Sequence, residues 1–164
     1  MRRRPCESRG GRCNKAATFG AATQAYQNAL AAFPEMPAVL WNLAIASEQL
    51  GQLQDAEQYF NRLVKIAPDF EDAAFRLGFL QIQRGEYASA VDSFEACVNR
   101  RPDWIEALLN LGLACWKFED LDTASATFER VLALQWSNTD ALRALLAIAI
   151  ERKDTSKVGT ILDA

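Results

Sequence analysis

Histidine is absent from the sequence, which removes both the usual general base near neutral pH and the commonest metal ligand. Cysteine is scarce: Cys6 and Cys13 lie near the N-terminus, and Cys97 and Cys115 sit in apolar helical contexts. A secreted disulfide framework is denser and belongs to a smaller chain, so a reducing, cytoplasmic setting is expected. Long apolar runs are also missing. The longest, around Leu142 to Ile150, is about ten residues and is broken by Arg143, against the roughly 18 a membrane span requires. No apolar stretch follows Arg2, Arg3 and Arg4, so the N-terminus does not read as a secretory signal. Gly10 and Gly11 lack the strand-helix context and the Gly-Lys-Ser ending of a phosphate loop. Cys6 and Cys13 amount to half a zinc site with nothing placed to complete it. No catalytic residue, metal ligand or cofactor is therefore assigned, and the chain is not expected to be an enzyme.

What is present is an apolar half and an uneven charge. Apolar residues make up 50% of the 164-residue chain, enough to bury a core. The N-terminal stretch 1–15 carries Arg2, Arg3, Arg4, Arg9, Arg12 and Lys15 against Glu7, a net +5, while the remaining 12 basic and 20 acidic side chains give −8. Phosphate attraction needs little beyond charge, but the acidic body shows no basic stripe, so nucleic acid is not an expected partner.

Pro34, Pro68 and Pro102 are evenly spaced, and a fixed period of this length is the mark of a stacked repeat. On that period the units are 37–70, 71–104 and 105–138, with a partial unit at 139–164. The seventh position reads Leu43, Leu77, Leu111 and Leu145; the eighth reads Ala44, Gly78, Gly112 and Leu146. The twentieth reads Ala22, Ala56, Ala90 and Ala124, and the twenty-fourth is aromatic at Tyr26, Phe60, Phe94 and Phe128. Each unit holds two amphipathic stretches of helical period joined by a short turn. Helices are expected at 38–50 and 54–66, 72–84 and 88–100, and 106–118 and 122–134. Pro37 opens a helix, where its missing N–H costs nothing; Pro68 and Pro102 follow helices they cannot continue. Gly51 and Gly85 stand where a helix end wants a left-handed residue. Glu119 and Lys153 replace them in later units, so those turns are expected to be less well specified. Small eighth and twentieth residues let the two helices approach, and the aromatic twenty-fourth is expected to fill the seam with the next unit.

The spacing L-G…A-x-x-x-F…P resembles the tetratricopeptide repeat family over roughly residues 17–164. The resemblance implies an all-α fold, a right-handed α-solenoid of antiparallel helix hairpins, acting as a protein-binding scaffold. Residues 1–15 are expected to be a basic disordered tail and 16–164 the repeat domain, with 16–36 containing the second helix of a partial repeat. The Arg- and Gly-containing tail has no apolar periodicity to supply that helix's partner. Either the chain is an excerpt of a longer array, or its ends are covered by self-association.

The family's concave surface carries the second, fifth, sixth, ninth, twelfth and thirteenth positions of each first helix. Carried onto this chain, the resemblance marks Trp41, Asn42, Ile45, Phe75, Arg76, Phe79, Ile82, Leu109, Asn110, Leu113 and Trp116 as a peptide-binding set. That surface is apolar, and such patches mark interaction sites when exposed; Trp41 and Trp116 stand out as anchors. Asn42, Arg76 and Asn110 form a polar thread, and an amide can satisfy a peptide group of any sequence. The charged clamp by which one subclass of the family holds chaperone C-termini is missing: its places read Trp41, Ile45, Arg76, Glu106 and Asn110. The expected partner is an apolar or amphipathic protein segment. A self-associating structural module, and a regulatory array belonging to a larger protein, are the alternatives.

Overall fold

The computed structural model describes residues 23–162, all of whose regular structure is helical. Readings of the basic tail, of Phe19 and of Ala22 lie outside the described residues. Helix α1 covers 23–32. It is followed by α2 (Pro37–Gln49), α3 (Leu53–Ile66), α4 (Glu71–Arg84), α5 (Tyr87–Arg100), α6 (Ile105–Lys117), α7 (Leu121–Leu134), α8 (Thr139–Glu151) and α9 (Thr155–Leu162). Every helix of the three full repeats begins one residue before the position expected from the period. Pro37 is the first helical residue of α2, and Glu71, Asp72, Glu106 and Asp140 fall in first turns, where the helix dipole favours acids.

The described residues divide into two compact units within α4, between Ala73 and Ala74. In the first, Leu40, Leu43, Ala56, Phe60 and Leu63 are fully buried between α2 and α3. Trp41 packs edge-on against Phe60, ring centres 5.6 Å apart, and against Phe70 at 4.9 Å. Arg62 donates to the carbonyl of Pro34 at 2.8 Å and ties α3 to the turn before α2.

In the second unit the eighth-position glycines show why that column is small. A Cβ built on Gly78 would stand 2.9 Å from the Phe94 ring, and one on Gly112 would stand 2.7 Å from Phe128. The aromatic twenty-fourth residue thus presses on the first helix of its own hairpin, which amends the expectation that it serves mainly the seam to the next. Burial of such a ring is worth roughly 1.5–3 kcal/mol. Arg130 repeats the arginine tie, donating to Pro102 at 3.0 Å.

The four hairpin turns share one backbone pattern. Gly51 bonds Glu48 and Gln52 bonds Ser47; Gly85 bonds Ile82 and Glu86 bonds Gln81; Glu119 bonds Trp116 and Asp120 bonds Cys115; Lys153 bonds Ile150 and Asp154 bonds Ala149. These are Schellman closures. Glu119 and Lys153 take φ of 66° and 58°, close to the 74° and 77° of Gly51 and Gly85. Their turns are therefore as well formed as the glycine turns, contrary to expectation, at a left-handed cost of about 1–2 kcal/mol each. Both are followed by a capping aspartate: Asp120 accepts from the Thr123 N–H at 3.1 Å and Asp154 from that of Lys157 at 3.1 Å. Gln52 and Glu86, after the glycines, make no such side-chain bond.

Candidate functional site

None of the eleven residues marked from the repeat is buried, but only Arg76 and Phe79 are open to solvent; the others are half-buried. Rings cover part of this apolar face. Trp41 is held by Phe60 and Phe70, as described, and so serves its own hairpin more than a free anchor would. Asn42 and Ile45 accompany it on α2.

The second unit repeats that arrangement once and then abandons it. Phe75 lies edge-on to Phe94 at 5.6 Å and is stacked on Trp104, ring centres 4.7 Å apart at 24°. Arg101 covers the same Trp104 ring at 4.6 Å. Each ring pair adds about 0.5–1.5 kcal/mol beyond area burial. One period on, the residues in these places are Leu109, Phe128 and Asn138. Asn138 caps α8, accepting from Ala141 N–H at 3.0 Å while donating to Gln135. Its side chain is committed there and supplies no ring to lie on Leu109.

A cavity of about 370 Å³ opens between α6 and α8 at this place, lined on one side by Leu109, Asn110, Leu113 and Trp116. Phe128 also lines it, and Asp140, Arg143 and Ala144 come from α8. The volume falls in the range of small-ligand pockets. Four of the eleven marked residues are thus brought together. Asp140, Arg143 and Ala144 were not included, although they occupy the second, fifth and sixth positions of the next unit, and the same column rule would have found them. Phe79 and Ile82 lie one repeat earlier, and Ile150, 61% exposed, one repeat later.

The polar groups around the cavity are local and mostly occupied. Trp116 donates its indole N–H to Glu151 at 3.0 Å. Asn110 donates to the Glu106 carbonyl at 2.8 Å, leaving its second N–H and its oxygen for other use. Arg143 and Asp140 approach to 4.0 Å with both side chains well exposed, a pair worth little in water. This set can hold a chain segment by apolar contact and a few hydrogen bonds. Cys97 and Cys115 are buried thiols, and the Cys97 Sγ donates to the Ser93 carbonyl at 3.3 Å. Burial, reinforced by Asp120 and Glu95, pushes the Cys115 thiol up to about 11, far from the reactive thiolate range.

Paired helices closing on a ring-and-glycine frame repeated at a fixed period define a helical-repeat protein. The chain belongs to the tetratricopeptide repeat family, whose models match residues 15–78 and 75–139. A crystal structure of MamA covers 97% of this chain and 93% of its own at 18% identity and a TM-score of 0.81. MamA from Desulfovibrio magneticus RS-1 is 22% identical, with 93% and 86% covered and a TM-score of 0.78. YrrB, described as a TPR protein with an unusual peptide-binding site, is 16% identical, with 92% and 77% covered and a TM-score of 0.81. These similarities establish the all-α repeat-solenoid fold. No curated protein matches the chain in sequence. Among the described residues, no helix is long and apolar enough to cross a membrane.

Proposed function

We propose that the chain is a non-catalytic protein-interaction module that receives an apolar or amphipathic polypeptide segment on the first-helix face of its repeats, with the α6–α8 cavity as principal seat. The supporting observation is that Leu109, Leu113 and Trp116, half-exposed on one helix, share a single cavity with Asn110, Asp140 and Arg143 at its edge. Extended and helical segments both match such a surface. YrrB, similar in fold, is described as having a peptide-binding site. Buried thiols at Cys97 and Cys115 suit a reducing compartment.

Selection of displayed random peptides against the purified chain tests the reading. Selected peptides should lose binding to a Leu113→Asp chain and keep it with Ala126→Asp, an exposed position on α7 outside the cavity. Equal binding to both variants, each checked for native helical content, would remove the cavity from the account.

Self-association is the second reading, favoured by one feature. Trp136 stands in the proline column and is 79% exposed, with Leu134, also exposed, two positions before it. Sedimentation of the native and Trp136→Ser chains decides it: a concentration-dependent dimer lost on substitution supports it, and a monomer throughout does not.

A further inference from the structure

We infer that the α6–α8 cavity is a subsite for one aromatic side chain of a partner segment, flanked in that segment by lysine or arginine; this rests on the peptide-binding reading above.

The aromatic preference follows from what the third hairpin lacks. In the second hairpin the ring on the frame, Phe94, is covered by Phe75, which in turn is stacked on Trp104. The third hairpin keeps the frame, with Phe128 pressed on Gly112. Its covering ring is reduced to Leu109, and its stacking ring is replaced by Asn138, whose amide is occupied by Ala141 and Gln135. The repeat thus builds a socket for rings and, in the third hairpin, leaves it without them. Leu109, Leu113 and Phe128 remain to meet a ring from outside, and ring-on-ring contacts are what the socket makes in the second hairpin.

The flanking charge follows from the rim. Asp140 lines the cavity together with its neighbour Arg143. Glu106 lies one turn before Asn110 on the same face of α6, and Glu151 meets Trp116. These three carboxylates outnumber Arg143 and Lys117, and the chain beyond Lys15 carries a net −8. A cation beside the inserted ring is attracted to this rim, and an acid is repelled.

Calorimetric titration of the full chain with terminally blocked Gly-Ser peptides tests both halves. The peptides carry Lys-Trp-Lys, Lys-Leu-Lys or Glu-Trp-Glu at the centre. Lys-Trp-Lys should bind at least tenfold more tightly than either of the others, with one peptide per chain. Leu109→Phe restores the missing ring, and should weaken Lys-Trp-Lys binding tenfold or more without lowering the melting temperature. Asp140→Lys, at an exposed position, should narrow the gap between Lys-Trp-Lys and Glu-Trp-Glu, which keeps the charge claim testable if the Leu109 variant folds poorly. Equal affinity for Lys-Trp-Lys and Lys-Leu-Lys would overturn the aromatic assignment, and equal affinity for Lys-Trp-Lys and Glu-Trp-Glu the charge assignment. A stoichiometry of one peptide per two chains would place a second copy in the cavity and overturn both. If these peptides do not discriminate while selected peptides still depend on Leu113, the subsite fails and the interaction reading stands; if Leu113 is also without effect, both fall.

Discussion

The second and third hairpins share one frame and differ in what lies on it. Gly78 with Phe94 and Gly112 with Phe128 are the same steric fit repeated one period apart. Over the first pair sit Phe75 and Trp104; over the second sit Leu109, a capping Asn138 and a cavity of about 370 Å³. The difference separates two jobs that a repeat performs at once. Glycine and the twenty-fourth-position aromatic hold two helices together, and the fifth and thirty-fourth positions decide whether the face above them is filled or left open.

The comparison can be broken at the frame first. Phe94→Ala and Phe128→Ala should each cost about 3–5 kcal/mol in chemical denaturation, as for other core aromatics. A loss from one hairpin and none from the other would mean the two frames are not equivalent. Gly112→Ala comes next, because its methyl would stand 2.7 Å from the Phe128 ring; overpacking of this kind costs about 1–3 kcal/mol, read as a lowered denaturation midpoint.

The turns extend the same contrast at smaller energies. The glycine turns carry no side-chain cap on the following helix, while the Glu119 and Lys153 turns are each followed by a capping aspartate. Asp120→Ala should lose about 1 kcal/mol at neutral pH, as N-cap removals do. The bonds from Thr123 hold the Asp120 carboxyl below the ordinary aspartate range. A lowered folded value means the stabilisation is present above the unfolded pKa of about 3.9 and is lost as pH falls through the folded one. Native and Asp120→Ala chains should therefore converge in stability as pH falls below the unfolded value and on through the lowered folded one. Smallest of all, Glu119→Gly should raise stability by about 0.5–1 kcal/mol, since relief at φ 66° exceeds the entropy glycine gives the unfolded chain.

Much of the frame was legible because it is periodic. Prolines and alanines at a fixed spacing, with an aromatic one helical turn after each alanine, placed the helices to within one residue. Most of the cavity lining was legible: Leu109, Asn110, Leu113 and Trp116 follow from the column rule, and Asp140, Arg143 and Ala144 follow from the same rule carried into the partial unit. Two things were hidden for physical reasons. Columns taken singly do not reveal that Phe75 is covered by Trp104, because that stacking joins the fifth position of a unit to its last. A non-glycine residue also gives no sign that backbone hydrogen bonds will hold it left-handed, as they hold Glu119 and Lys153.

The central claim is that a partner ring enters between α6 and α8. Amide chemical-shift mapping of the labelled chain with the Lys-Trp-Lys peptide tests it most directly. The account predicts that the largest shifts, including that of the Trp116 indole N–H, fall on Leu109 to Trp116 and Asp140 to Ala147. Shifts centred on α7 and α9, with the Trp116 indole unmoved, would contradict it.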